Sequence, residues 1–322
     1  MKKTARAHTN IALIKYWGKA NKELKTPLMS SLSMTLDAFY TDTTFEHGNH
    51  LTKDTFILND TEQNSEQAKR VMNYVHRLQK EYGFSDHFKI DSFNHVPTSA
   101  GLASSASAFA ALATAFAASY KLNLSKKELS QLARLGSGSA TRSIYGGFAL
   151  WHKGHDHNDS YAIAVDENPD WDLHMLAVEV NTHEKKISST QGMIRAQTSP
   201  FYQSWLDKNT TEIKKMEEAI QEKDFTKLGQ LSENSANEMH AINLSAQPGF
   251  TYFEPDTLKL IQLIHQLRQD GIECYYTIDA GPNVKILCTL KNRKKIISAV
   301  HNLLGNVKIV DASFGPGVKI LA

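Results

Sequence analysis

The sequence predicts an α+β protein, with strands and helices mixed in both halves of the chain. Its length of 322 residues accommodates either one large domain or two of ordinary size. Hydrophobic residues make up 41% of the chain and it holds 17 glycines, which is the usual apolar content of a globular protein. Strand-like alternation and helix-like periodicity recur on both sides of residue 180, where we place a domain boundary between 1–180 and 181–322.

The first half is expected to alternate between strands and helices. Strands are predicted at 32–46, 88–93, 145–151, 161–165 and 173–180, the third and fourth forming a hairpin. Helices are predicted at 65–82, at 125–136, and in a run of small residues that ends at Tyr120. Gly83 ends the first helix, and a capping box from Ser125 to Glu128 begins the last one.

Helices predominate in the second half. They are predicted at 200–222, 225–240, 255–270 and 292–303. The third has Pro255 near its first turn and Gly271 at its end, which is the preferred placement of these two residues. Strands are predicted at 274–278, 284–290 and 316–321, and the last of these is free to return to the first domain.

Charge and cysteine content exclude several classes of protein. The 36 basic and 34 acidic residues leave a net charge of only +2, so bulk positive charge cannot supply affinity for nucleic acid. Cys274 and Cys288 are too few for a disulfide framework, and we expect them to be buried and reduced in a cytoplasmic protein. The uncharged stretch 92–120 contains proline, glycine and several hydroxyls, so we do not expect it to span a membrane.

Familiar nucleotide and metal motifs are missing from the sequence. The Gly18-Lys19 pair has Leu13 where a Walker loop needs its first glycine, and no G-x-G-x-x-G pattern begins a helix. Residues 152–159 contain three histidines and two aspartates that resemble a metal site. Because they stand where a hairpin connection is predicted, a solvated loop is the preferred interpretation.

A loop rich in small and hydroxyl residues is the strongest candidate for phosphate binding. It runs from Pro97 to Ser107 and leads into a helix. Gly101 allows backbone amides to approach an anion, and the free amides of a helix start add partial positive charge. The hydroxyls can donate to phosphate or bind magnesium. The alternative is a Ser/Ala-rich helix packed against a sheet, with hydroxyls bonded to its own carbonyls.

Pro97–Ser107 resembles the second motif of the galactokinase, homoserine kinase, mevalonate kinase and phosphomevalonate kinase (GHMP) superfamily. The opening segment from Ala7 to Lys19 narrows the resemblance to the mevalonate diphosphate decarboxylase family. Segments Gly136–Ser143, Lys185–Ser189 and Ile278–Asn283 are similar to the same family, so the resemblance covers nearly the whole chain. The opening segment Ala7–Lys19 and the segment Ile278–Asn283 are highly specific, and the serine-rich segments are less so.

The resemblance implies a two-domain GHMP-like fold and a reaction. An N-terminal α+β domain would bind the nucleotide, a C-terminal ferredoxin-like α+β domain would complete the site, and the last strand would return to the first domain. The substrates would be 5-diphosphomevalonate and ATP with Mg²⁺, the phosphorylated C3 hydroxyl would be eliminated with CO2, and isopentenyl diphosphate would be the product. The family also suggests a homodimer.

Three residues are the main chemical candidates. Asp279 is expected to activate or orient the tertiary hydroxyl, although an aspartate in such a turn is ordinarily a local cap. Lys15 is expected to offset Asp279 and the transferring phosphoryl group; its ordinary role would be a solvent-facing strand residue. Arg142, expected near a helix start, suits the substrate carboxylate, although a surface salt bridge would explain it too.

The remaining candidates are binding residues. The diphosphate and neighbouring substrate oxygens are assigned, by the resemblance, to Tyr16, Lys19, Ser137, Ser139 and Ser189. ATP is assigned to Ser92, Asn94, Pro97, Gly101, Leu102, Ala103, Ser104, Ser105 and Ser107, with Mg²⁺ on Ser105 and the ATP phosphates. Surface positions on a strand are the alternative for Ser92 and Asn94. Trp17 is assigned to core packing.

One departure from the family and two rival functions remain open. Met29 stands where relatives commonly have asparagine, so a polar contact there would be lost or supplied by Ser30 or Ser31.

The first rival function is an enzyme of the same fold, a mevalonate 3-kinase or a phosphomevalonate decarboxylase. The second is a nucleotide- or metabolite-sensing protein that has lost turnover. Both reactive candidates are present, which favours full decarboxylation.

Overall fold

The computed structural model describes residues 1–64, 66–95, 104–181 and 186–321. Their strands form two sheets. The first sheet contains Lys2–Ile14 (β1), Ser31–His47 (β2), Thr55–Leu58 (β3), Thr61–Glu62 (β4), Phe88–Asn94 (β5), Phe148–Trp151 (β6), Ala162–Asp166 (β7) and Lys319–Leu321 (β12). The second contains His174–Val178 (β8), Tyr275–Ile278 (β9), Val284–Cys288 (β10) and Ile309–Ala312 (β11).

Helices pack on both sheets. The α-helices are Glu66–Tyr82 (α1), Ser104–Ser119 (α2), Lys126–Gly136 (α3), Ser189–Ala196 (α4), Tyr202–Gln221 (α5), Phe225–Ser245 (α6), Pro255–Gln269 (α7) and Leu290–Leu304 (α8). A 3₁₀ helix covers Gly138–Ile144. The capping box predicted for α3 is present, with the Ser125 hydroxyl and the Glu128 carboxylate each bonded to the other residue's backbone amide. Within the described ranges, no helix is both long and apolar enough to cross a bilayer.

The first sheet is built around one long antiparallel pair. Strands β1 and β2 run side by side along most of their length, and the small-residue helix α2 packs on both. The terminal strand β12 returns to the other edge of β1, pairing Thr4 with Leu321. The last residues of β1, Ile11 to Ile14, are buried, and Lys15 after them bonds to Ser235 and Asp279 of the second half.

The second sheet has the strand order β11-β8-β10-β9, with every neighbouring pair antiparallel. Helices α4 to α7 connect its first two strands in sequence, and α8 connects its last two. This order and these connections are those of a ferredoxin-like fold, which confirms the predicted α+β architecture. Strand β8 belongs to this sheet, and the division of the chain at residue 180 stays a prediction.

An apolar cluster shared by both sheets joins the two halves. It combines Ile11 and Leu13 of β1 with Met175 of β8, Leu287 of β10 and Met216 of α5, all of them buried. Burial of such side chains contributes about 25 cal/mol per Å² of apolar surface removed from water. The cluster thus fixes the C-terminal end of β1 against the second sheet.

Most predicted elements are confirmed to within a few residues, and the omissions have a physical pattern. The sequence indicated an apolar run at 11–14 but not the strand β1, because its first residues, Lys2 to Arg6, are mostly charged or polar. The short elements β3, β4, α4 and β11 were also missed. The serines at 104–107 begin α2 and are not loop residues. Short elements are fixed by pairing with distant segments, which a local pattern cannot show.

Replacement of Gly229 by alanine is expected to destabilise the protein. A Cβ at Gly229 of α6 would lie 2.0 Å from Cδ2 of the Tyr275 ring on β9. Alanine ordinarily stabilises a helix by up to ~1 kcal/mol relative to glycine, but overpacking costs about 1–3 kcal/mol. Urea unfolding should show a lower free energy of unfolding for Gly229→Ala. The neighbouring exposed change Gln230→Ala should stay within ~0.5 kcal/mol of the wild type.

Candidate active site

A buried ion pair lies where the two halves meet. Lys15 follows β1 and Asp279 follows β9, and Nζ of Lys15 donates to Oδ1 of Asp279 at 2.6 Å. The same Nζ donates to the carbonyl of Ala12 at 2.9 Å, and the backbone amide of Lys15 donates to Oγ of Ser235 on α6 at 3.0 Å. Lys15 is only 1% exposed, which excludes the ordinary solvent-facing alternative. The structure thus brings together the two residues predicted to react.

The ion pair sits in surroundings that disfavour charge. Burial lowers the pKa of Lys15, while the charge of Asp279 and its hydrogen bond oppose this shift. Asp279 keeps a side-chain exposure of 24%, so its carboxylate remains partly accessible. A partly accessible carboxylate beside a buried ammonium is a suitable arrangement for proton transfer from a bound hydroxyl.

Lys285 is a second lysine at Asp279 that the sequence analysis did not select. It lies on β10, is 0% exposed, and places its Nζ 3.5 Å from Oδ2 of Asp279. Its Nζ also donates to the carbonyl of Asn283 at 3.2 Å. A usable signal was present in the sequence, because a lone lysine interrupts the apolar run Val284–Cys288 directly after the Asp279 motif.

Arg142 is buried beside the same ion pair. It is 3% exposed and lies in the last turn of the 3₁₀ helix, so the expected position near a helix start was wrong. Its Nη1 donates to Oγ of Ser31 at 2.5 Å and its Nε to Oδ1 of Asn10 at 3.2 Å. Burial lowers the pKa of Arg142 to about 10, and the charge of Asp279 opposes this shift.

Asn10 was part of the recognised opening segment but was not selected as a site residue. Its Nδ2 donates to the carbonyl of Ser139 at 2.9 Å and to Oγ of Ser143 at 2.8 Å. Asn10 therefore links β1 to the 3₁₀ helix and holds Arg142 through its other amide atom. Met29 is buried in an apolar cluster beside Trp17, and it is Ser31 that supplies the polar contact to Arg142.

Serine hydroxyls connect the start of α2 to the 3₁₀ helix. Oγ of Ser105 lies 3.2 Å from Oγ of Ser137, which in turn lies 3.2 Å from Oγ of Ser139. The three hydroxyls thus form a row between the first turn of α2 and the first turn of the 3₁₀ helix. A helix start presents free backbone amides, so the end of this row at α2 is a suitable place for an anion.

Tyr16 presents an unsatisfied buried hydroxyl. Within the described part of the chain, its phenol oxygen has no hydrogen-bond partner, and its ring packs against Trp151 at 4.8 Å between centroids. Burial raises the pKa of Tyr16, so the phenol keeps its proton. A Cβ at Gly138 would lie 3.1 Å from this oxygen. A buried donor without a partner is costly, which favours a ligand as its acceptor.

Cations cluster at the C-terminal end of α3, immediately before Ser137. Nζ of Lys25 donates to the carbonyls of Leu135 and Gly136 at 2.5 Å each, and Arg70 donates to the carbonyl of Gly136 at 2.7 Å. Burial and the neighbouring Arg70 and Lys19 lower the pKa of Lys25 to about 7. Burial also lowers the pKa of Lys19, together with the charge of Arg70. Lys25 and Arg70 were missed because they come from distant segments.

Ser189 lies one turn before Gly192, a glycine of α4 that packs against the Trp17 ring. It is the first residue of α4, and a Cβ at Gly192 in the next turn would lie 2.7 Å from the Trp17 ring. Trp17 is buried and donates to Oδ1 of Asn243 at 2.8 Å, in agreement with the packing role predicted for it. Helix α4 therefore covers the segment that holds Tyr16.

The nucleotide candidates are divided between described and undescribed residues. Pro97, Gly101, Leu102 and Ala103 lie outside the described residues. Ser92 is buried and its hydroxyl pairs with Oγ1 of Thr43 at 2.9 Å, which excludes the surface alternative for Ser92. Asn94 accepts from Thr41 at 2.9 Å. Ser107 is buried, with Oγ 2.8 Å from Oγ1 of Thr41, while Ser104 and Ser105 remain partly exposed in the first turn of α2.

The histidine-rich segment 152–159 is the connection of the β6–β7 hairpin, as predicted. The carboxylates of Asp156 and Asp159 accept backbone amides of the same loop, such as that of His155 at 2.7 Å. Across residues 1–64, 66–95, 104–181 and 186–321, no three histidine, cysteine, aspartate or glutamate side chains are grouped to hold a metal ion. A hydroxyl such as that of Ser105 suits Mg²⁺ when phosphate oxygens and water supply its other ligands.

Family models match both halves of the chain. A diphosphomevalonate decarboxylase-like N-terminal domain family matches residues 7–162, and a mevalonate 5-diphosphate decarboxylase C-terminal domain family matches residues 175–317. Among curated relatives, the chain is 36% identical to the diphosphomevalonate decarboxylase of Ganoderma lucidum over 324 residues, covering 92% of this chain and 80% of that protein.

Solved structures are similar over the full length. Mevalonate diphosphate decarboxylase from Staphylococcus aureus is 44% identical with a TM-score of 0.96, covering 100% of this chain and 98% of that one. A structure of MDDEF in complex with MVAPP, AMPPCP and magnesium is 47% identical with a TM-score of 0.94, covering 100% and 99% of the two chains.

Proposed function

Because the chain belongs to the mevalonate diphosphate decarboxylase family and is a diphosphomevalonate decarboxylase, we propose that Asp279 and Lys15 perform its chemistry. The reaction converts 5-diphosphomevalonate and ATP into isopentenyl diphosphate, ADP, phosphate and CO2. ATP and Mg²⁺ serve it: the similar MDDEF complex holds magnesium and AMPPCP, an ATP analogue. The observation that supports our assignment is the buried Lys15–Asp279 pair with Arg142 beside it.

Asp279 acts on the tertiary C3 hydroxyl. Its carboxylate accepts the hydroxyl proton as the oxygen attacks the γ-phosphorus of ATP, and ADP leaves. The phosphate added to C3 then departs with the bonding electrons of its C–O bond. The bond between C1 and C2 then breaks, and its electrons form the new double bond between C2 and C3. C1 is released as CO2. Hydroxide is a poor leaving group, so phosphorylation serves the elimination.

Lys15 and Arg142 balance the negative charge of this chemistry. Lys15 bonds to Asp279 at 2.6 Å and stabilises the charge that spreads over the transferring phosphoryl group. The guanidinium of Arg142 has the two-pronged geometry that a carboxylate needs, and it is held in place by Ser31 and Asn10. The substrate carboxylate therefore binds at Arg142, buried beside Asp279, which is where decarboxylation requires it.

The diphosphate is assigned to the groups around the 3₁₀ helix. We propose that it is bound by the unsatisfied hydroxyl of Tyr16, by Ser137 and Ser139, and by Lys19 and Ser189. The ATP phosphates are assigned to the start of α2 and to the segment before it, through Pro97, Gly101, Leu102, Ala103, Ser104, Ser105 and Ser107. Ser92 and Asn94 are assigned to the same nucleotide. Ser105 would hold the Mg²⁺ together with phosphate oxygens. The ion supplies additional positive charge at the transferring phosphoryl group.

The assay that tests this function follows every product separately. Purified protein with ATP, Mg²⁺ and 5-diphosphomevalonate is expected to release ADP, phosphate and CO2 in equal amounts. ADP formed without CO2 would identify a 3-kinase, and ATP binding without turnover would identify a sensing protein. Replacing the substrate with 5-phosphomevalonate checks the second enzyme alternative, and we expect much lower kcat/KM because one phosphate group at the 3₁₀ helix is then missing.

Domain division, assembly and location are further parts of the proposal. We propose a nucleotide-binding domain at 1–180 and a second domain at 181–322, a homodimer in solution, and a cytoplasmic enzyme. The free, buried thiols of Cys274 and Cys288 support a reducing compartment. Light scattering after size-exclusion chromatography measures the mass and distinguishes a dimer from the 36.0 kDa monomer.

A further inference from the structure

The carboxylate of Asp279 is surrounded by more positive charge than it can balance. Lys15 faces it from the end of β1, Lys285 from β10 and Arg142 from the 3₁₀ helix, and all three are almost fully buried. His240 faces it from α6. Burial and the charge of Lys15 lower the pKa of His240 to about 3, so this imidazole is neutral and adds no charge.

The two lysines contact different oxygens of the same carboxylate. Lys15 bonds to Oδ1 at 2.6 Å, and Lys285 approaches Oδ2 at 3.5 Å. Each ammonium is also anchored to the backbone, Lys15 at Ala12 and Lys285 at Asn283. Because Ala12 belongs to β1 and Asn283 directly precedes β10, the carboxylate is held from both domains at once. Rotation about its Cβ–Cγ bond would break at least one of these contacts.

A fully buried lysine needs a reason to be retained in a strand. Its neighbours on β10 are all apolar and buried, and an unpaired ammonium there would be strongly destabilising. Packing alone would be served better by an apolar residue of similar volume. The position of Lys285 next to Asp279 gives the charge a function.

We propose that Lys285 is a positioning residue of the decarboxylase. It fixes the plane of the Asp279 carboxylate and favours its charged form, which is the form that accepts the proton of the C3 hydroxyl. The inference rests on the role of Asp279 proposed above. It predicts that Lys285 acts through Asp279, and therefore mainly on kcat and on the pH at which activity is lost.

The test measures kcat and KM against pH for Lys285→Met, which keeps the volume of the side chain and removes its charge. We expect the acidic limb of the kcat profile to move up by about one pH unit, because an opposite charge close to a carboxylate favours ionisation by about that much or more. Turnover at pH 7 should fall ~10-fold, as for one lost electrostatic contact, with KM for both substrates changed less than ~3-fold. Lys285→Arg keeps the charge and should leave the acidic limb near its wild-type position.

Two comparisons distinguish positioning from a structural effect. Lys308→Met removes an exposed lysine that precedes β11 of the same sheet, and it should keep the wild-type profile. In an Asp279→Asn background, Lys285→Met should cause little further loss, since its effect passes through Asp279. Circular dichroism and thermal unfolding monitor the fold of each variant.

An acidic limb of Lys285→Met that stays at its wild-type pH would overturn the inference. So would an equal shift in Lys285→Arg, or an undiminished loss in the Asp279→Asn background. If Lys285→Met does not fold, Lys285→Gln removes the same charge and takes its place in every comparison. Failure of the proposed function is recognised separately, because wild-type protein would then release no CO2 from 5-diphosphomevalonate.

Discussion

Replacement of Asp279 by asparagine is expected to lower turnover at least ~100-fold while largely preserving substrate binding. Asparagine has the same shape but no charge, so it cannot accept the proton of the C3 hydroxyl. Its carbonyl oxygen can still accept the hydrogen bond from Nζ of Lys15, now 2.6 Å from Oδ1. Because Arg142 and the serine row are untouched, KM for 5-diphosphomevalonate should change far less than kcat.

ADP and CO2 must be measured separately for this variant. If Asp279 acts in phosphoryl transfer, both products should fall together, because elimination requires the C3 phosphate. A variant that still forms ADP and has lost only CO2 would show that Asp279 acts after phosphorylation. Activity close to wild type would remove Asp279 from the mechanism.

A matched control guards against a general effect of the substitution. Asp270 is exposed at the end of α7, and its carboxylate accepts a hydrogen bond from Gln266 that an asparagine can also accept. Asp270→Asn should keep wild-type kinetics. Thermal unfolding of both variants then separates a loss of chemistry from a loss of folded protein.

Local patterns in the sequence predicted those elements whose capping residues and apolar pattern lie within the element itself. Helix α3 is an example, since its capping box lies within four residues of sequence and forms as predicted. Strand β10 was found because four of its five residues are apolar. By contrast, β11 has only four residues, and it forms because it pairs with β8 more than 100 residues earlier in the sequence. Such pairing energy is not visible in a local window.

The candidate site shows the same distinction. Lys15, Arg142 and Asp279 were selected because they lie in recognisable segments, but only the structure places Lys15 in a bond with a residue 264 positions away. Lys285, Lys25 and Arg70 have no motif of their own, and each contacts the site from another segment. The sequence marks such a residue only when its type is unusual for its surroundings, as with a lysine in an otherwise apolar strand.

Replacement of Lys15 by methionine is the second change expected to have a large effect. Removing a preorganised donor at developing charge costs about 10²–10³-fold in kcat, and Lys15 serves both Asp279 and the phosphoryl group. Lys15→Arg should not restore activity. The side chain is 2% exposed and its Nζ is fixed between Ala12 and Asp279, so the larger guanidinium has no space there. Lys3→Met, at an exposed position on β1, the strand that Lys15 follows, is the control and should be unaffected.

Stability against pH provides an independent measurement on Lys15→Met. Burial lowers the pKa of Lys15 in the folded protein, so between that value and the ordinary lysine value of 10.5 the unfolded chain binds more protons. Wild-type stability should therefore gain a component that rises with pH in this window, and Lys15→Met should lack it. Urea unfolding at several alkaline pH values measures the difference. Identical slopes for the two proteins would mean that Asp279 offsets the burial of Lys15 completely, and the large loss of turnover would then be due to the missing charge alone.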